Sequence, residues 1–107
     1  MLIVVNRLFV KKEMRKEFEA FIGSRMQFIA DSSVLEYSLE KPVKSILGDT
    51  DHYLLRSVWR DLNHLQEWLG TPGFHEAHIK LRNRQEFYFQ ENELLYYETM
   101  EQGKGTP

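Results

Sequence analysis

The order of elements written into this chain predicts an α+β domain with the split β-α-β connectivity of ferredoxin-like folds. Three observations carry that expectation: a β-branched opening run, a long amphipathic segment after it, and a strand leading into two short helices before a last strand. Helices gathered on one face of such a sheet leave its other face uncovered. In a chain of 107 residues that face would expose a broad apolar patch, so the pattern also predicts a homodimer in which two sheets cover each other.

The opening strand is expected from Leu2 to Val10, with Leu2, Val4, Asn6, Leu8 and Val10 on one side of the alternation. Asn6 is the polar exception on that side. Its amide carries two donors and an acceptor, and leaving them unmet inside a protein costs roughly 1–3 kcal/mol. Either the backbone or a ligand should satisfy it.

Helix formers run from Lys12 to Asp31, with Met14, Phe18, Phe21, Ile22, Phe28 and Ile29 on one stripe at the helical period. Arg25 falls near the middle of that stripe. Its guanidinium either snorkels to an edge or faces an acidic group lining a cavity. Asp31-Ser32-Ser33 ends the helix, Val34 to Glu40 reads as a second strand, and Pro42 and Gly48 mark a loop before the third. That third strand spans His52 to Arg60. Neither of its faces is uniformly apolar, so pattern alone does not say which is buried.

Asp61 is a suitable N-cap for a helix with Leu62, Leu65 and Leu69 turned inward and Trp68 beside them. Gly70 stops it. Thr71 then caps a second short helix with Pro72 in its first position, where the missing N–H does no harm. On that helix Phe74, His78 and Leu81 share a face, placing one imidazole in an apolar stripe, while His64 and His75 point elsewhere. Arg82 to Glu91 has no clear period and reads as a loop; Glu93 to Met100 is the last strand. Residues 1–101 are expected to form one domain and 102–107 a flexible tail.

Composition narrows the function classes. Hydrophobic residues make up 42% and aromatics 13%, a globular balance, and a net charge of −2 with scattered basic residues argues against a nucleic-acid partner. The chain has no cysteine, which removes disulfides, thiolate nucleophiles and cysteine-ligated metals. The apolar start MLIVV is too short for a signal peptide or a membrane span, so a cytoplasmic protein with no membrane partner is expected. The set formed by His78, a tryptophan one short helix away and Asn6 contains no carboxylate pair, no Ser or Cys nucleophile with a base, and no glycine-rich phosphate loop. What remains is a pocket with aromatic walls and one possible axial ligand, suited to a flat apolar molecule such as haem or a quinone.

Three anchors sharpen this: VNRL with Asn6, VWRDLNHLQEWL with Trp59 and Trp68, and GFHEAH with His78. Over nearly the whole domain the chain resembles the antibiotic biosynthesis monooxygenase superfamily, and within it the Isd-type haem-degrading monooxygenases. The resemblance implies a dimeric α+β barrel with one haem site per subunit. By position, it makes His78 the axial ligand to haem iron, Trp68 the bulky group pressing the porphyrin out of plane, and Asn6 the distal hydrogen-bond donor. Haem is then both cofactor and substrate. Dioxygen and electrons from an external donor, such as a reductase, complete the reaction, which releases iron. From the helix stripe, Arg25 is placed to meet a haem propionate. Other members of the superfamily act without a cofactor on quinols or polyketide phenols, and a non-catalytic dimer holding haem or another flat ligand is a further alternative. One departure stands out, since Ser33-Val34 occupies the place of the family's usual Gly-Phe pair.

Overall fold

The structure, a computed structural model, describes residues 1–23, 26–30, 32–76 and 84–105, with the side chain of Phe28 left aside. Strands β1 (Leu2–Leu8), β2 (Glu36–Glu40), β3 (Tyr53–Trp59) and β4 (Glu93–Glu98) form one sheet in the order β2-β3-β1-β4. Every neighbouring pair is antiparallel. Helices α1 (Arg15–Gly23), α2 (Gln27–Ala30) and α3 (Leu62–Leu69), with a helical run at residues 72–76, complete the ferredoxin-like α+β arrangement that the element order predicts.

The segment expected as one long helix is in fact divided. A 3-10 turn at Lys12–Met14 leads into α1, and a turn at Met26 separates α1 from α2, which begins at Gln27. The division serves two cores. Phe18 and Ile22 of α1 join a cluster with Leu8, Val10, Tyr53 and Phe87, whereas Ile29 of α2 joins Trp59 and Leu65; Met26 touches both.

The first strand also stops short of the expected Val10. Beyond Leu8 the chain is stitched instead to residues 87–89: Lys11 N–H donates to the Phe87 carbonyl at 2.7 Å, Phe89 N–H donates to the Phe9 carbonyl at 3.0 Å, and Val10 bridges Tyr88. This stitching drives Phe87, at 0% exposure, into the first core. The aperiodic stretch expected as a loop thus contains a core anchor, held by a 3-10 turn at Gln85–Phe87.

The face of β3 that the pattern left open is settled by contact. Tyr53, Ser57 and Trp59 are buried against the helices, with Leu55 between them. Tyr53 donates its hydroxyl to Glu19 Oε2 at 3.1 Å, and burial first, then this bond, push the phenol up from 10.0 to about 12. An unfolded chain ionises this phenol earlier than the folded one, so the stability it contributes is intact below pH 10 and drains away between 10 and about 12. Urea unfolding across that window should show a steeper loss of stability for the native chain than for Tyr53→Phe. Equal slopes would show that Tyr53 does not set the alkaline limit.

Candidate functional site

Between the sheet and the helices lies a cavity of about 200 Å³. Its sheet wall is built by Val4 and Asn6 of β1, Leu55 and Ser57 of β3, and Leu94 and Tyr96 of β4. These residues share one face because Val4 pairs with Ser57 and Tyr96, while Asn6 pairs with Leu55 and Leu94. Ile29, Leu65, Trp68, Leu69 and Phe74 close it from the helical side. No charged side chain lines it among the described residues.

Local chemistry fixes the helical wall. Asp61 accepts from the His64 backbone N–H at 3.0 Å and from His64 Nδ1 at 2.7 Å, and the His64 side chain first, then its backbone, hold the carboxyl below its ordinary range. Capping at this point starts α3 one residue later and turns Leu65 and Trp68 inward. Thr71 Oγ1 donates to the Trp68 carbonyl at 2.7 Å and accepts from the Phe74 N–H at 3.3 Å, joining the end of α3 to the start of the helical run at 72–76. Trp68 consequently sits between two rings. It stacks on Trp59 with centroids 5.3 Å apart and planes 30° apart, and meets Phe74 edge-on at 4.9 Å.

Asn6 and Trp68, two residues singled out from the sequence, line this one cavity. The Asn6 side-chain amide is half-buried and has no hydrogen-bond partner among the described residues, so the backbone partner that was one of its two expected fates is not what holds it. His78 and Arg25 lie outside the described residues. His75 is exposed, and His64 is occupied by Asp61. No cluster of three or more metal-ligating side chains occurs among the described residues. At the departure noted above, Ser32 Oγ accepts from the Val34 N–H at 3.2 Å and Val34 packs on the second core, so the Ser-Ser-Val sequence turns the chain without glycine.

Two contributors escaped the sequence reading. Ser57 was visible only as one polar residue on an undecided strand face, and Phe74 only as the neighbour of a histidine. The signal for Ser57 was its place two residues before Trp59: that spacing puts both on one face, and Trp59 Nε1 donates to Ser57 Oγ at 2.9 Å.

Fold and site together define a ferredoxin-like α+β domain with an aromatic-walled cavity, uncharged among the described residues, beneath its helices. The model of the antibiotic biosynthesis monooxygenase family matches residues 1–80, and the chain belongs to that family. A comparison with curated proteins finds no match. Among solved structures, the heme-degrader MhuD from Mycobacterium tuberculosis, with two hemes bound in its active site, is similar at a TM-score of 0.73 and 20% identity, over 97% of this chain and 100% of that one. SnoaB, a cofactor-independent oxygenase from Streptomyces nogalater, is similar at a TM-score of 0.73 and 20% identity, over 94% of each chain. A conserved protein from Methanosarcina mazei Go1 gives a TM-score of 0.67 at 20% identity, over 90% of this chain and 89% of that one. Likeness at this identity carries the fold; what each neighbour binds is that neighbour's own property.

Proposed function

We propose that the protein is a monooxygenase acting on a flat conjugated ligand in the cavity between β1, β3 and α3, and that haem is this ligand, serving as cofactor and substrate. The observation carrying this reading is the Asn6 amide, without a partner among the described residues, set in an apolar cavity walled by Trp68 and Phe74, with Trp59 stacked behind Trp68. An uncharged aromatic wall suits a porphyrin face, and Trp68, braced by two rings, is stiff enough to press on one. In this reading His78 would hold the haem iron, Arg25 would meet a propionate, and Asn6 would offer a hydrogen bond to the ligand. Haem, when bound, supplies the iron at which dioxygen is activated; an external donor supplies electrons. The chain's own residues bind, orient and exclude water.

Size sets a condition. The enclosed space of about 200 Å³ is below the roughly 300–1,000 Å³ of usual ligand clefts, so a macrocycle requires widening at the half-exposed rim of Leu94 and Tyr96. That same volume favours the second reading, a cofactor-independent oxygenation of a smaller quinol or polyketide phenol.

Titration of the haem-free protein with haemin is expected to give a Soret band that His78→Ala abolishes and Trp68→Ala shifts, followed by its decay under ascorbate and oxygen. Absence of the band at micromolar haemin removes haem, and oxygen uptake with a hydroquinone then tests the second reading. A band that survives ascorbate unchanged identifies a haem-holding dimer without catalysis.

A further inference from the structure

Ser57 is the polar group in the cavity wall to which no role has yet been assigned. It is 6% exposed and lies on β3 among Val4, Leu55 and Leu65 of the cavity lining. Its oxygen accepts from Trp59 Nε1 at 2.9 Å. An indole N–H can only donate, so this bond uses a lone pair of the hydroxyl and leaves its proton free. No hydrogen bond from that proton is made among the described residues. Buried donors are seldom left unpaired, and Trp59, itself at 0% exposure, occupies one lone pair of the oxygen and so restricts the directions its proton can take.

Asn6 stands next to it. Ser57 pairs with Val4 and Asn6 with Leu55, so the two polar residues are diagonal neighbours on adjacent strands, roughly 7–8 Å apart at the backbone and on one face. Both have donors to spare, and apart from Tyr96 and the indole N–H of Trp68 the residues lining the cavity with them are apolar.

We infer that Ser57 is a ligand-binding residue, donating a hydrogen bond to an acceptor atom that the ligand places against the sheet wall beside Asn6, with Trp59 fixing the hydroxyl's orientation. The inference depends on the proposed function only in taking this cavity as the ligand site. The acceptor comes from one of two sources: an oxygen carried by an organic ring, or a small molecule seated next to the ring of bound haem. Both are read as the same chemistry by a hydroxyl donor.

Two arms separate these sources. In haem-free protein, naphthoquinone and naphthalene are titrated by quenching of tryptophan fluorescence; the two probes share a ring system and differ in the acceptor oxygens. In haemin-loaded protein, azide is titrated by the Soret shift. Ser57→Ala is expected to lower affinity for naphthoquinone or for azide by about five- to tenfold, the size of one lost hydrogen bond. Naphthalene affinity should be unmoved and Ser57→Thr should restore the loss. Should Ser57→Ala fold poorly by circular dichroism, Trp59→Phe reads the same point, because it frees the hydroxyl to rotate and weakens only the oxygen-bearing probe. A fall for naphthoquinone alone assigns the acceptor to the organic ring, and a fall for azide alone assigns it to the haem-bound molecule. Equal losses for naphthoquinone and naphthalene, with azide unchanged, would reduce Ser57 to a structural prop for Trp59 and overturn the inference. Unchanged affinities in both arms overturn it as well, while leaving the haemin result standing. Binding of none of the probes by the native chain would remove the cavity as a ligand site and both proposals with it.

Discussion

Trp59→Ala should lower the unfolding free energy by about 3–5 kcal/mol, the range for removing a large aromatic from a packed core. Domains of this size are held by only about 5–15 kcal/mol, so the variant should sit near its unfolding limit at room temperature. Three roles meet in this side chain. It is wholly buried with Ile29 and Leu65, it forms the surface on which Trp68 stacks, and its N–H occupies Ser57. Trp59→Phe keeps most of the ring and loses the N–H, so its cost should be about 1–3 kcal/mol, set by reduced volume and by an unmet Ser57 acceptor. Urea unfolding followed by far-ultraviolet circular dichroism measures both. A loss under about 1 kcal/mol for the alanine variant would mean that the second core does not depend on Trp59.

How far these elements could be read from the sequence depended on whether their cause was local. Asp61, Gly70 and the Thr71-Pro72 pair mark helix ends by chemistry confined to a few residues, and α3 and the helical start after Thr71 lie where those signals put them. The split β-α-β connectivity was legible from the succession of elements, and the sheet order β2-β3-β1-β4 agrees with it. The buried face of β3 was not legible, because Arg56 and Val58 on one side and Ser57 and Trp59 on the other give mixed patterns. Arg56 is satisfied on the uncovered face by Glu36 at 2.7 Å, a partner twenty residues away. Phe87 was hidden for a similar reason: its burial comes from backbone bonds to Phe9 and Lys11, and no periodicity in its own segment signals it. The candidate site shows the same division. Asn6 stood out as a polar residue on an apolar strand face, but whether the protein satisfied it was a three-dimensional question, and the pairing of Ser57 with Trp59 became meaningful only once their face was known to be the buried one.

The uncovered sheet face yields the second large effect. Alternation puts Ile3 and Val5 of β1, Leu54 and Val58 of β3, and Leu95 and Tyr97 of β4 opposite the cavity, and all of these except Val58, at 4% exposure, stay unburied within one chain. The ion pairs Arg7–Glu93 at 2.6 Å and Arg56–Glu36 at 2.7 Å lie across the strands on that same face, neutralising the charges that flank this apolar stripe. With a shortest dimension of 22 Å, the molecule is flat, and among the described residues the strand side chains packed with the helices, from Leu2, Val4 and Leu8 to Tyr53, Leu55 and Trp59, belong to the cavity-side face. We propose that two copies pack these faces together as a homodimer. Val5 lies on a central strand beside Arg56 and Leu95, and a two-fold interface repeats any change made there. Val5→Arg would put a cation next to Arg56 and Arg7 in both copies, an arrangement costing several kcal/mol once desolvated, enough to weaken association by a hundredfold or more, on the order of 3 kcal/mol. In a free monomer the same arginine reaches solvent, so the fold and the cavity on the opposite face should survive. Sedimentation at micromolar concentration is expected to give a dimer for the native chain and a monomer for the variant. A native monomer, or a variant that remains dimeric, would show that this face is not the interface.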